Sequence, residues 1–162
     1  MGNWQKGSKY VSRDKALVHL QRYCAYQERS HSEVRNKLLD LKIYGDDLEE
    51  IIAQLIADNF LNEERFARAY ARGKFRIKQW GKRRIVQELK RHEVSAYSIR
   101  KALEEIEPAE YEKTLQEVLR KKRTLLAAKS ESELQNKLAQ YAISRGFEPE
   151  LVWEMIKDGG SG

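Results

Sequence analysis

The sequence predicts an all-helical protein in which three tandem three-helix modules form an elongated, curved repeat array. Apolar residues recur at helical spacing along the 162 residues, a hydrophobic pattern repeats every 51 residues, and only two prolines interrupt the chain. Because a unit of about 45 residues has little core of its own, neighbouring modules are expected to bury apolar surface against one another. A compact nine-helix domain that merely records a duplication is the alternative.

The repeat becomes visible when the sequence is compared with itself at an offset of 51 residues. Five apolar residues of the first copy then align with five of the second, and a third copy has four extra residues between its second and third positions. One added helical turn keeps the same helix face inward. The three sets are Val34, Leu38, Ile43, Leu48 and Ile52; Ile85, Leu89, Val94, Ile99 and Leu103; and Leu134, Leu138, Phe147, Val152 and Ile156.

The predicted organisation places the three modules between two short tails. The boundaries are 1–13 for a flexible basic tail, 14–61, 62–107 and 108–157 for the modules, and 158–162 for a flexible C-terminal tail. An amphipathic helix opens each module, at about 14–27, 63–76 and 109–122. Residues suited to cap further helices are Ser32, Asp46 or Asp47, Asn62, and Ser95 or Ser98. Pro108 marks the junction with the third module.

Composition argues against several classes of protein. No run of 18 apolar residues is present and residues 1–13 lack the apolar segment of a signal peptide, so a cytoplasmic protein is expected. The single cysteine, Cys24, lies among apolar residues at helical spacing, which predicts a core position. No metal site is expected, because no carboxylate or cysteine lies at ligand spacing from His19, His31 or His92. The sequence contains no phosphate loop or nucleophile elbow, and we predict no enzyme and no cofactor.

The net charge of +6 is concentrated in the middle of the chain. Between residues 68 and 101, twelve Lys or Arg stand against two Glu, a local balance of +10, whereas residues 46–64 and 104–117 are acidic. Because uncompensated like charges repel one another, such a cluster favours a polyanionic partner, either nucleic acid or an acidic protein groove. A merely solvated basic face is the alternative.

Two predicted helices carry these cations. On a helix over residues 82–91, Ile85, Val86 and Leu89 share one side, and the other side is basic except for Glu88. The preceding helix has an apolar stripe of Phe66, Ala69, Tyr70 and Gly73 and a separate row of Arg65, Arg68, Arg72 and Arg76. Two basic ridges are therefore expected to meet near the turn between the helices.

That turn interleaves cations with aromatic residues. Trp80 and Phe75 could stack on an unpaired base or could be core anchors, and backbone amides near Gly81 could bind an anion. No catalytic residue is predicted. The predicted DNA- or filament-binding residues are Arg72, Lys74, Arg76, Lys78, Trp80, Lys82, Arg83, Arg84, Lys90 and Arg91.

The chain resembles the RecX family of recombination regulators from about residue 14 to residue 157. The most specific stretch is 61–70, LNEERFARAY, and its continuation has Trp80, Gly81, Arg84, Ile85, Glu88 and Leu89. The first module contributes Glu28, Arg29, Ser30, Glu33 and Leu38, and the third contributes Arg145, Gly146 and Phe147. The family commonly has glycine before the apolar residue that opens the last helix of a unit. Gly146 keeps this pattern, whereas Lys42 and Glu93 depart from it and leave the geometry of those two turns open.

The resemblance implies a monomer whose three modules lie in the helical groove of a RecA filament on single-stranded DNA. It further implies that the modules bridge protomers and modulate, most simply inhibit, the ATPase, strand exchange and filament growth. Direct affinity for single-stranded DNA is implied as well, with duplex DNA as an open alternative.

Two other functions remain open. In the first, the helix over 82–91 reads a duplex major groove as in a stand-alone helix-turn-helix protein, although Gln87 alone is a thin set of base-reading side chains. In the second, the chain is a helical scaffold that binds only proteins, and it then has no affinity for any polynucleotide at low salt.

Overall fold

The structure, a computed structural model, describes residues 11–160, which form helices joined by short turns without any strand. The helices are α1 (Arg13–Tyr26), α2 (His31–Asp40), α3 (Gly45–Ala57), α4 (Glu63–Arg76), α5 (Lys82–Arg91), α6 (Ala96–Leu103), α7 (Pro108–Leu125), α8 (Glu131–Ser144) and α9 (Pro149–Gly160). The predicted all-helical class is confirmed. Within the described range, no helix combines the length and the apolar character needed to cross a membrane.

The predicted tails lie mostly outside the described residues, which exclude 1–10 and 161–162. The described part of the C-terminal tail differs from the expectation, because α9 continues through residues 158–160. Pro108 occupies the first turn of α7, where its missing amide costs no hydrogen bond.

Local capping explains where two of the helices begin. Ser30, and not the predicted Ser32, caps α2: its hydroxyl accepts a hydrogen bond from the Glu33 amide at 3.0 Å, and the Glu33 carboxylate accepts one from the Ser30 amide at 2.8 Å. Ser30 is the favoured cap because this reciprocal arrangement satisfies two backbone amides at once. Asn62 caps α4 as predicted, and its side chain accepts from the Arg65 amide at 2.9 Å.

The remaining predicted caps are resolved by the structure. Neither Asp46 nor Asp47 caps α3, which begins after Tyr44; both lie in the first turn, where a negative charge favours the helix dipole. Ser95 caps α6, whereas Ser98 is buried within that helix. Both serine hydroxyls donate to Glu63 of α4, at 2.6 and 2.7 Å, and thereby tie the starts of α4 and α6 together.

The helices enclose two separate hydrophobic cores. One lies among α1, α2 and α3, and the other is shared by α4 to α9. The second and third modules thus share a core, whereas the first module has its own. Cys24 is buried in the first core, as predicted. All the repeat residues are buried except Leu103 and Leu134, which are half-buried.

The contact between the first and second modules includes several polar pairs. Arg65 binds the Glu28 carboxylate at 2.7 Å, and the Ser32 hydroxyl donates to the His92 carbonyl at 3.2 Å. The His92 ring nitrogen Nδ1 lies 3.3 Å from the Ser30 hydroxyl. These polar contacts connect the two modules without merging their apolar cores.

The core face of α4 is rotated from the predicted stripe. The residues that α4 buries are Phe66, Ala67, Ala71 and Phe75, while Ala69, Tyr70 and Gly73 are half-buried. The rotation arises because α4 packs chiefly against α6. Phe75 also contacts Tyr111 of α7, with the two ring centroids 5.9 Å apart. Phe75 is therefore a core residue, and the suggestion that it stacks on a base is wrong.

The turn between the second and third helices has the same backbone geometry in every module. Lys42, Glu93 and Gly146 all have positive φ angles, of 65°, 61° and 103°. The amide of the next residue donates back into the preceding helix in each turn, at 3.0, 3.1 and 3.2 Å. The two departures from glycine therefore leave the turn intact, at a strain of roughly 1–2 kcal/mol each.

Candidate nucleic-acid interface

The amino-terminal end of α5 is closed by the third module. Three amides there already have acceptors: Gly81 donates to the Arg145 carbonyl at 2.8 Å, Lys82 to the Tyr111 hydroxyl at 2.9 Å, and Arg83 to the Gly146 carbonyl at 2.9 Å. A helix start binds an anion through amides that have no other partner. The suggested anion site at the amides near Gly81 is therefore wrong.

The Tyr111 hydroxyl strengthens this closure. It accepts from the Lys82 amide and donates to the Glu148 carboxylate, and its ring contacts those of Phe75 and Phe147. Burial, followed by the hydrogen bond to Glu148, raises the pKa of Tyr111, which favours the protonated hydroxyl that donates to Glu148. The second and third modules are thereby held together by polar as well as apolar contacts.

The row of arginines on α4 is largely compensated by carboxylates. The pairs are Arg65 with Glu28 at 2.7 Å, Arg68 with Glu64 at 2.9 Å and with Glu105 at 2.7 Å, Arg72 with Glu105 at 3.0 Å, and Arg76 with Glu110 at 3.7 Å. Hydrogen bonds from Arg68 and then Arg72 lower the pKa of Glu105. Arg72 and Arg76 of the predicted site belong to this compensated ridge, defined as Arg65, Arg68, Arg72 and Arg76.

The cations of the turn and of α5 are in a different state. Across residues 11–160, no carboxylate lies within ion-pairing distance of Lys74, Lys78, Lys82, Arg83, Arg84 or Lys90. Arg91, with 79% of its side chain exposed, lies 3.5 Å from Glu88. We call Lys78, Lys82, Arg83, Arg84 and Lys90 the open ridge. One of the two expected basic ridges is thus paired, and the other faces solvent largely without counter-charge.

Trp80 positions one cation of the open ridge and one cation beside it. The guanidinium carbon of Arg84 lies 4.2 Å from the Trp80 ring centroid, and the ammonium nitrogen of Lys74 lies 5.1 Å from it. The half-buried Trp80 also packs against Tyr70, with ring centroids 6.5 Å apart. Such cation–π contacts restrict where the two cations point. Trp80 therefore packs against the core and presents an ordered pair of charges.

A polar depression adjoins the open ridge, between α5 and the end of α8. It is lined by Arg83, Arg84, Gln87 and Glu88 of α5 and by Ser144 and Gly146 of the third module. Arg145 lies beside it and donates a side-chain hydrogen bond to the Lys78 carbonyl. Sequence reasoning missed the contribution of Ser144 and Arg145 because no local spacing connects residue 145 with residue 78.

The described residues show no arrangement suited to a metal ion or a reactive thiol. In that part of the chain, no three His, Cys, Asp or Glu side chains come close enough together to hold a metal. Burial raises the pKa of Cys24 to about 11, which keeps the thiol protonated and inert.

Family models match two segments of the chain. The one described as RecX, second three-helix domain, matches residues 62–103, and the one described as RecX, third three-helix domain, matches residues 110–156. These segments together make up more than half of the chain.

Several proteins named regulatory protein RecX are similar over most of this chain. That of Herbaspirillum seropedicae is 29% identical over 136 residues, which cover 84% of this chain and 85% of the relative. The Haemophilus influenzae protein is 28% identical over 142 residues, with coverage of 87% and 92%. The Bacillus cytotoxicus protein is 25% identical over 138 residues, and the chain spans only 51% of its length.

Solved structures share the fold. The crystal structure of RecX from Lactobacillus salivarius has a TM-score of 0.81 at 24% identity, covering 90% of this chain and 95% of that one. A second crystal structure of regulatory protein RecX gives the same score and identity and covers 90% and 71%. The family matches, the named relatives and the shared fold agree, and the chain belongs to the RecX family of regulatory proteins.

Proposed function

We propose that this chain is a non-enzymatic, cytoplasmic regulator of the RecA recombinase. It docks as a monomer in the groove of the RecA filament on single-stranded DNA and inhibits the ATPase, strand exchange and filament growth. The names of its relatives support a regulatory role. The main support for the proposal is that the cations of the open ridge have no ion-pair partner among the described residues, whereas the neighbouring compensated ridge is paired with carboxylates.

The contrast between the ridges supports a polyanionic partner. The chain has 25 acidic residues, and several of them pair with the arginines of α4, yet within the described part of the molecule none forms an ion pair with a cation of the open ridge. Clustered cations repel one another in the free protein. A polyanion relieves this repulsion and gains further from the release of its counterions.

The geometry suits phosphate contacts better than base reading. Arg83 and Lys90 are seven residues apart on α5 and project from the same side of the helix. Gln87 can donate hydrogen bonds within the adjoining depression. We expect the open ridge to follow a sugar–phosphate backbone, with sequence-independent affinity.

The packing of α5 argues against a stand-alone helix-turn-helix protein. A recognition helix places its first turn against base edges in the major groove. The first turn of α5 instead packs against Gly146, and its amides are bonded to the third module. The middle and end of the helix remain accessible, which favours contacts with phosphates and with a protein surface.

Co-sedimentation with preformed RecA filaments tests the proposal, with bare single-stranded DNA measured beside it. We expect the protein to pellet with both and to bind the filament more tightly. If about five phosphates are contacted, the log–log slope of affinity against salt is about −3.5. Binding that is no tighter on filaments than on bare DNA would indicate a stand-alone DNA-binding protein, and binding to neither would overturn the proposal.

A further inference from the structure

Two tyrosine rings near the end of α1 contact the same arginine. The Arg29 guanidinium carbon lies 3.7 Å from the Tyr23 ring centroid and 5.9 Å from that of Tyr26. The Nε of Arg29 also donates to the Tyr23 carbonyl at 2.9 Å, and the ammonium nitrogen of Lys37 lies 5.5 Å from the Tyr23 centroid. Tyr23 is half-buried against the first core, whereas Tyr26 is 83% exposed. We call Tyr23, Tyr26, Arg29 and Lys37 the first-module cluster.

The contact between Tyr23 and Arg29 has a counterpart in the second module. At the repeat offset of 51 residues, Tyr23 aligns with Lys74, and Arg29 aligns with Trp80. Lys74 contacts the Trp80 ring in turn, with its ammonium nitrogen 5.1 Å from the centroid. Arg29 and Trp80 each directly precede the N-cap residue of the second helix of their module. The ring and the cation have exchanged places, and both turns hold a cation in a restricted position.

The two cations of the first-module cluster lack counter-charge. Across residues 11–160, no carboxylate lies within ion-pairing distance of Arg29 or Lys37. The carboxylates nearest Arg29 in sequence have other partners. Glu28 pairs with Arg65 at 2.7 Å, and Glu33 accepts the backbone hydrogen bond of the capping box of α2 at 2.8 Å. The cluster therefore favours an anionic partner, as the open ridge does.

The first-module cluster adjoins the end of α5. The Ser30 hydroxyl lies 3.3 Å from Nδ1 of His92, and the Ser32 hydroxyl donates to the His92 carbonyl at 3.2 Å. Arg29 directly precedes Ser30, and Lys90 of the open ridge is two residues before His92. A polyanion that follows the open ridge toward the end of α5 therefore reaches the turn that holds Arg29.

The cluster combines two groups that bind an unpaired nucleotide, because an exposed ring can stack on a base and cations can contact phosphates. We propose that the first-module cluster is a second contact site for single-stranded DNA, in which Tyr26 stacks on an unpaired base and Arg29 and Lys37 contact phosphates. This inference rests on the proposed function and extends the path of the strand from the open ridge onto the first module. A single strand is favoured over a duplex because its bases are free to stack on a protein ring.

The ring and the cations have different expected effects on binding. Tyr26→Leu keeps an apolar side chain but removes the ring, so affinity for single-stranded DNA is expected to fall about fivefold or more. Tyr26→Phe retains the ring and is expected to bind like the wild type. Lys37→Gln removes one phosphate contact, so the log–log slope of affinity against salt is expected to become shallower by about 0.7.

The test titrates the full chain with an oligodeoxythymidylate of about 20 nucleotides, longer than the usual site of a single-strand binder, and with an abasic strand of the same length. The control for Tyr26→Leu is Tyr44→Leu, which changes another exposed tyrosine of the same module. The control for Lys37→Gln is Arg35→Gln, which removes the same charge from the same helix at a residue paired with Glu49 at 2.7 Å. Urea unfolding verifies that each variant is folded.

The outcomes separate this site from the proposed function. Weaker binding of the thymidylate strand by Tyr26→Leu but not by Tyr44→Leu, with unchanged binding of the abasic strand, supports the inference. A shallower salt slope for Lys37→Gln than for Arg35→Gln supports it as well.

Three results would overturn the inference alone: wild-type affinity in Tyr26→Leu, an equal loss by Tyr26→Leu on the abasic strand, or equal salt slopes for Lys37→Gln and Arg35→Gln. A Tyr26→Leu protein that binds RecA filaments more weakly but binds the bare strand normally also overturns it, because the ring then contacts protein. A wild-type protein that binds neither filaments nor the bare strand overturns the proposed function and this inference with it.

Discussion

Gly81 and Gly146 lie in direct backbone contact, and this contact joins the second module to the third. A β-carbon on Gly81 would overlap the carbonyl carbon of Gly146, and a β-carbon on Gly146 would lie 2.6 Å from the Arg84 amide nitrogen. Gly146 also has a φ angle of 103°, which side chains rarely tolerate. The orientation of the open ridge toward Ser144 and Arg145 therefore depends on two residues without side chains.

The substitution Gly81→Ala tests this junction. We expect the free energy of unfolding to fall by about 2–3 kcal/mol, because backbone atoms must move to admit the methyl group. Gly73→Ala is the matched control, since nothing lies within 4 Å of a β-carbon there and the residue is inside α4. That change is expected to stabilise the protein by about 0.5–1 kcal/mol. Equal urea midpoints for the two variants would contradict the close contact.

The left-handed turns allow a second stability test. Replacing Lys42 or Glu93 by glycine relieves backbone strain but increases the entropy of the unfolded chain. The balance is expected to raise the free energy of unfolding by about 0.5–1 kcal/mol for each change. Ala53→Gly, in the exposed part of α3, is expected to lower it by about 1 kcal/mol. Urea unfolding gives the sign of each change in the free energy of unfolding. A lower free energy of unfolding for Lys42→Gly would argue against the strained turn.

The half-buried His31 makes stability depend on pH. Burial lowers its pKa below 6.5, Glu63 opposes this and Arg35 adds to it, while the ring nitrogen Nδ1 is buried without a hydrogen-bond partner. As the pH falls, the His31 ring is therefore protonated in the unfolded chain before it is protonated in the folded protein. The contribution of neutral His31 to the free energy of unfolding is present above pH 6.5 and is lost as the pH falls below that value. Urea midpoints measured at about pH 7.5 and about pH 5.5 should therefore fall further for the wild type than for His31→Gln. Parallel losses in the two proteins would exclude His31 as the cause.

One substitution can remove a carboxylate that compensates two arginines of the compensated ridge. Glu105→Gln removes the carboxylate shared by Arg68 and Arg72. We expect affinity for single-stranded DNA to rise about two- to threefold at low salt, with a slope against salt steeper by up to about 0.7. Glu154→Gln removes the same charge from the exposed surface of α9 and serves as the control. The prediction fails if the two variants bind DNA equally.

Features that depend on neighbouring residues could be predicted from the sequence. The helix Glu63–Arg76 was predicted with the observed bounds because Asn62 caps its start and the turn before Gly81 ends it. The choice between Ser30 and Ser32 shows the limit of this reasoning. Both are suitable residues, but only Ser30 is spaced from Glu33 so that the two hydrogen-bond each other's amides.

Features that depend on the fold could not be predicted in this way. Glu105 is separated from Arg68 by 37 residues and from Arg72 by 33, so no helical spacing reveals that it compensates them. The closure of α5 by Gly146 is equally non-local. The sequence could predict a basic segment and its helix faces, but only the tertiary structure separates the paired cations from the open ones.

The central claim is that the open ridge is the docking surface, and the RecA ATPase on single-stranded DNA tests it most directly. Arg83→Glu with Arg84→Glu reverses two charges of the open ridge; Arg120→Glu with Lys121→Glu reverses two exposed cations of α7, both near Glu117. Each pair changes the net charge equally. We predict that the first pair abolishes inhibition while the urea midpoint is retained, and that the second inhibits like the wild type. Full inhibition by the Arg83→Glu, Arg84→Glu protein would contradict the account.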